Sequence, residues 1–167
     1  MTETIFTLKR KNFNILKSFL FPESDKKSIG LIDIKNQELL ETLLPWLEVL
    51  PANFSILTLE DKESNSSSLK YITQINQETI LWYDFVIVDN DCEKITEYMK
   101  SGITPILPNW NYLWNLLQEF DPIKTEWNSY LYEENNFWSI YYATIRYLEN
   151  FKFPYDNRNL VKNVSSL

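Results

Sequence analysis

The stretch Tyr83–Leu107, YDFVIVDNDCEKITEYMKSGITPIL, decides how this chain folds. Asp84–Val88 is a short continuous apolar run, the pattern of a strand covered on both faces. An acidic turn follows. Asp91–Ser101 then reads as a helix, stopped by Gly102. Ile103–Leu107 reads as a second buried strand. Strand, helix and strand in this order form one crossover unit of a parallel sheet.

The same alternation extends in both directions. Upstream, Ser28–Ile34 (SIGLIDI) and Phe54–Leu59 (FSILTL) read as strands. Between them Gln37–Leu50 reads as a helix with Leu39, Leu40, Leu43, Leu44 and Leu47 on one face, and Pro45 is expected to kink or split it. Glu60–Ser68 is a polar loop and Leu69–Ile75 a short strand. Downstream, Asn109–Phe120 has helical spacing at Trp110, Leu113, Trp114 and Leu117. Ser129–Tyr132 is a short strand. Asn136–Phe151 is a helix whose stripe of Trp138, Tyr141, Tyr142, Ile145 and Leu148 is expected to face the core. Arg10–Phe21 reads as a short helix ended by Pro22, and the polar end of the chain as one last helical turn at most. The expected fold is a three-layer, Rossmann-like α/β sandwich with a mostly parallel sheet of about five to six strands. Its core domain covers 28–153, with an N-terminal extension at 1–27 and a C-terminal tail at 154–167.

Composition narrows the function. The 167 residues are 44% hydrophobic, enough for one full core. Six Trp, ten Tyr and ten Phe exceed what that core needs, so part of the aromatic surface is expected to meet a partner or ligand. The net charge of −7 disfavours nucleic acid and anionic membranes. Cys92 is the only cysteine, which excludes an intrachain disulfide. There is no histidine, so the commonest general base and the commonest zinc ligand are both absent, and no Ser/His/Asp or Cys/His arrangement exists. No apolar run is long enough to span a bilayer and the N-terminus lacks a signal-peptide pattern, so a cytoplasmic location is expected.

Asp89, Asp91 and Glu93 follow the best strand, where open α/β sheets bind ligands. With Asp33 they offer oxygen ligands for a divalent ion, but capping of the next helix explains them more simply, and no metal is assigned. Cys92, placed among acids, is expected to have a raised thiol pKa and no nucleophilic role.

The spacing of Asp89, Glu97, Met99, Gly102, Pro105 and Ile106 resembles the donor-binding, C-terminal half of GT-B glycosyltransferases of the glycogen and starch synthase type, in degenerate form. The resemblance can be followed from about Ser28 to about Phe153. It implies two carboxylates, eight positions apart, that hold a nucleotide sugar. Here they are Asp89, shortened from glutamate, and Glu97. It also implies a strand glycine followed by an arginine and a lysine that bind the donor diphosphate. Gly30 is the glycine; Leu31 and a position close to Asn36 replace the cations. Trp127 stands where the family has a glycine that lets the backbone approach the ligand.

The resemblance thus makes Gly30, Asp89 and Glu97 the ligand-binding residues, if the site is retained. It assigns no catalytic residue and no cofactor. Without the two cations a diphosphate would meet Asp33, Asp89, Asp91 and Glu93 and be repelled. The family's acceptor-binding half has no counterpart in this sequence. The expected function is that of a non-catalytic interaction or scaffold protein. It would bind a protein partner or a second copy of itself through Trp110, Trp114 and Trp127. One alternative is a chain of a split glycosyltransferase that uses a nucleotide-sugar donor. Another is a carbohydrate- or small-ligand-binding module built on Trp110 and Trp114. Neither nucleic acid nor membrane is an expected partner, and a nucleotide sugar is a less expected ligand than a protein.

Overall fold

The apolar runs form six strands: β1 (Ser28–Asp33), β2 (Ala52–Leu57), β3 (Leu69–Ile72), β4 (Phe85–Val88), β5 (Thr104–Pro108) and β6 (Tyr130–Tyr132). The computed structural model describes residues 2–90, 92–110, 113 and 115–166, without the side chains of 2–4 and 12. Every pairing between these strands is parallel, in the order β3-β2-β1-β4-β5-β6. The helices are α1 (Thr2–Leu20), α2 (Gln37–Glu48), α3 (Ile95–Lys100), α4 (Phe137–Phe151) and α5 (Pro154–Val164), with a 3-10 turn at Thr79–Trp82. Right-handed crossovers place helices on both faces of the sheet. α2 and α4 pack on each other, while α1 meets α5 and the 3-10 turn. The molecule is therefore a three-layer, Rossmann-like α/β sandwich. Strand order reverses between β1 and β4, which opens a crevice above their carboxyl ends.

Several elements differ from the sequence expectation. α1 begins at Thr2, well before Arg10. α2 runs unbroken through Pro45. The bond that this proline removes would reach the carbonyl of Glu41, an exposed residue that water can serve. α3 starts only at Ile95, because the preceding turn folds Cys92 inward against Asp33. The described residues of 109–120 form turns rather than a helix. Asn128 Nδ2 donates to the Leu116 carbonyl at 3.0 Å and Ser129 Oγ to that of Gln118 at 2.7 Å, so the segment's acceptors are drawn towards β6. The last segment is a helix of three turns, α5, started by Pro154 in its first turn, and it buries Leu160, Val161 and Val164. The core face of α4 is Ile140, Ala143, Thr144, Tyr147 and Leu148. Trp138 and Tyr142, expected in the core, are 54% and 60% exposed.

Phe85 fixes that phase. Its ring lies over Gly30, the neighbouring residue on β1, where an added Cβ would come within 2.4 Å of Cζ. The ring cannot swing aside, because Phe54 packs on it edge-on at 5.8 Å and Tyr147 of α4 at 4.6 Å. Tyr130 packs edge-on against Tyr147 at 5.6 Å and extends the aromatic stack to β6.

A buried polar tie closes the amino-terminal edge of the sheet. Asp84 Oδ2 accepts the amide of Ile29 at 3.0 Å, and Lys9 Nζ donates to the carbonyl of Tyr83 at 2.6 Å. Burial raises the Asp84 carboxyl to about 6, and the Lys9 charge opposes this. Burial lowers Lys9 to about 8, and the Asp84 charge opposes that.

Two predictions follow from these contacts. Gly30→Ala should destabilise the fold by about 1–3 kcal/mol through overpacking, a drop of roughly 2–12 °C in the unfolding midpoint. Adding Phe85→Leu should recover part of that loss. Second, the folded state holds the Asp84 proton more tightly than the unfolded chain does. Its contribution to stability is therefore complete below about pH 4 and is lost as pH rises through about 6. Denaturant titrations of the parent and Asp84→Asn should diverge across this window, with the fall in stability missing from the variant.

Candidate functional site

The carboxyl ends of β1 and β4 carry Asp33, the loop to α2, and Asp89. Asp33 Oδ2 accepts the Tyr98 hydroxyl at 2.7 Å and the Cys92 thiol at 3.5 Å. Burial, and after it the Asp33 carboxylate, pushes the Cys92 thiol up to about 12 and also raises Tyr98. Cys92 is thus a buried thiol, not a thiolate nucleophile. The direction matches the sequence expectation. The larger cause, however, is burial rather than the neighbouring acids.

Asp89 makes the contact that defines the crevice. Its Oδ2 accepts the backbone amides of Lys35 at 2.6 Å and Asn36 at 3.1 Å. Asn36 in turn caps α2, accepting from the Leu39 amide at 3.1 Å. Backbone amides just before a helix are a ready-made seat for an anion. Here the protein's own carboxylate sits in that seat. Asp89 Oδ1 is buried with no hydrogen-bond partner. On the other side of Asp89, the Tyr132 hydroxyl donates to the Val88 carbonyl at 2.9 Å, and Trp110 packs edge-on against Tyr132 at 5.8 Å. A small cleft of about 300 Å³ is lined by Asn36, Thr42, Asn136 and Phe137.

The structure separates the residues that the resemblance grouped. Gly30 lies in the middle of β1, buried under Phe85, where it packs the sheet below the rim. Leu31, at the arginine position, is fully buried. Glu97 is exposed on α3 and lines a groove of about 700 Å³ with Gln77, Glu93 and Lys94. Asp89 is not among the residues that line this groove. Helix α3 has Lys94 as its N-cap, with no side-chain cap bond, so neither Asp89 nor Glu93 caps it. Asp89 secures the loop before α2 instead. Asp91 lies outside the described residues. Among the described residues no group of three or more acidic or thiol side chains is placed to hold a metal ion. Lys35 was missed by the sequence reading. It supplies a cation at the rim, one position before the one compared with the family's lysine.

The expected interaction residues are spread out. Trp110 is 44% exposed beside Tyr132. Trp127 is 48% exposed and has a φ of 70°, in the left-handed region that favours glycine. Asn163 of α5 holds that strained turn by donating to the carbonyls of Thr125 and Trp127, each at 2.9 Å. Trp114 lies outside the described residues. A cluster that the sequence did not reveal joins Trp46 of α2 to Phe137, Trp138 and Tyr141 of α4. Arg146 sits 4.9 Å over the ring of Tyr142 at its edge. Among the described residues no helix is long and apolar enough to cross a membrane.

No family model and no curated protein matches the sequence. Solved structures do. The catalytic domain of starch synthase IV from Arabidopsis thaliana, in a structure bound to ADP and acarbose, matches with a TM-score of 0.76 at 17% identity. The match covers 95% of this chain and 39% of that one. A glycotransferase of kitacinnamycin matches with a TM-score of 0.56 at 9% identity, over 83% of this chain and 39% of that one. The chain therefore spans well under half the length of either structure. Identities this low show the fold alone: the sheet and its helices are those of one Rossmann-like half of a GT-B glycosyltransferase.

Proposed function

We propose that this chain is a non-catalytic, protein-binding domain on a glycosyltransferase-like fold. The observation that carries this reading is the Asp89 carboxylate seated on the amides of Lys35 and Asn36. A donor diphosphate would have to displace a tethered anion and then share the crevice with it. Displacement would break two charged hydrogen bonds, each worth about 1.5–3 kcal/mol. The buried Leu31 offers no counter-charge, and the chain has no histidine to act as a base.

The binding surface is the exposed aromatic face of α2 and α4, centred on Trp46, Trp138 and Tyr142. Large aromatic side chains with one exposed face dominate protein interfaces. A protein partner, or a second copy of the chain, is the occupant that fits it.

A second reading is the donor half of a split glycosyltransferase. It is favoured by the match to a structure that holds ADP and by the cation Lys35 at the rim. In that reading Asp89 leaves the two amides when the donor arrives.

Thermal unfolding against ADP, UDP and nucleotide sugars, with and without magnesium, separates the two. A ligand at a hundred times its dissociation constant stabilises by about 2.7 kcal/mol, or roughly 5–10 °C here. We expect no rise with any of them at millimolar concentration. A clear rise with one nucleotide sugar would replace the first reading by the second. Asp89→Ala should lower stability by about 1 kcal/mol or less per lost bond, because water can serve the exposed amides of Lys35 and Asn36.

A further inference from the structure

At the amino-terminal edge of the sheet, opposite the rim, α1, α5 and the end of α4 enclose a cleft of about 630 Å³. This is the size of an ordinary small-molecule site. Its lining is basic although the molecule is acidic. The chain carries a net charge of −7, yet Lys9, Arg10 and Lys27 line the cleft against a single carboxylate, Asp84. Lys9 is only 7% exposed, and its ammonium, with three donors, gives one bond to the Tyr83 carbonyl. Arg10 is not free to drift. Its guanidinium stacks on the ring of Phe6 at 5.1 Å, and Arg158 of α5 stacks on the same ring at 5.4 Å. Phe6, Phe13 and Phe151 make the remaining walls apolar. A buried ammonium with spare donors, a stacked guanidinium and an aromatic wall thus meet in one cleft.

We propose that this cleft is a binding site for a small amphipathic anion, an apolar or aromatic body bearing a carboxylate or phosphate head. The head is held by Lys9, Arg10 and Lys27. The body lies against Phe6, Phe13 and Phe151. Asp84, already bonded to the Ile29 amide, offsets part of the Lys9 charge and leaves the cleft cationic. The site goes beyond the interaction reading and shares no residue with the rim, so either can fail without the other.

Calorimetric titration of the full chain tests it with octanoate and phenyl phosphate as probes. Octanamide serves as the neutral counterpart and inorganic phosphate as the bare head. At least one amphipathic probe should bind, and which of the two binds more tightly assigns the head group. Octanamide and inorganic phosphate should each bind at least about tenfold more weakly, since one charged hydrogen bond is worth that much. Arg10→Gln with Lys27→Gln should weaken the bound probe about tenfold or more. Both residues are exposed, so this variant should keep its unfolding midpoint. Phe13→Ala should weaken the probe as well. The proposal is overturned if neither probe binds at millimolar concentration. It also fails if octanamide or inorganic phosphate binds as tightly as the probes, or if the double variant binds unchanged.

Discussion

The structure depends on one close approach, the ring of Phe85 against the bare Cα of Gly30. Adjacent parallel strands leave little room for a phenyl ring directed along the sheet. The missing Cβ at Gly30 provides it. Once Phe85 lies there, Tyr147 must pack at 4.6 Å from it, and the rotation of α4 about its axis is set. That rotation turns Trp138 and Tyr142 outward and brings Arg146 within 3.1 Å of Glu119. Glu119 accepts the Leu131 amide at 2.6 Å and anchors the edge strand β6. A packing decision at the centre of the sheet thus fixes both an exposed aromatic face and the last strand.

The switch point follows a different logic. Lys35 and Asn36 present amides to the switch point whatever fills it. A carboxylate on β4 is tethered within reach of them and binds without the loss of freedom that a diffusing anion suffers. Asp89 also joins β4 to the start of α2, across the two strands between which the order reverses. The contact of Asp89 with the two amides therefore ties the sheet together at its topological break. This gives the fold a reason to keep the carboxylate even where no ligand binds.

How much of this was legible in the sequence depends on the range of the contacts involved. The strands were visible because a buried parallel strand is a continuous apolar run, and Phe85–Val88 has no other reading. The helix at Phe137–Phe151 was equally plain, but not its phase. Both of its faces are rich in apolar residues, so periodicity gave the helix and left Tyr147 and Tyr142 indistinguishable. The 109–120 segment failed because Asn128 and Ser129, more than ten positions downstream, take its carbonyls. α5 was hidden by its polar composition, since three residues, Leu160, Val161 and Val164, do all its burying. The raised thiol of Cys92 was foreseen from its acidic neighbours, whereas its burial required the fold. Gly30 was noticed for a ligand and serves a ring.

Trp127 shows how the fold holds a residue in a conformation that its side chain disfavours. Its φ of 70° belongs to the conformation that glycine adopts at no steric cost. A tryptophan there is strained, on the order of 1–3 kcal/mol, and holds its place only because other contacts over-determine the turn. Asn163 supplies two of them, to the carbonyls on either side of Glu126. The geometry of the loop is therefore carried by α5 rather than by the residue that occupies the turn. The same helix presents Asn157 to the basic cleft at the opposite edge of the sheet. The segment with the weakest sequence signal thus supports both ends of the molecule.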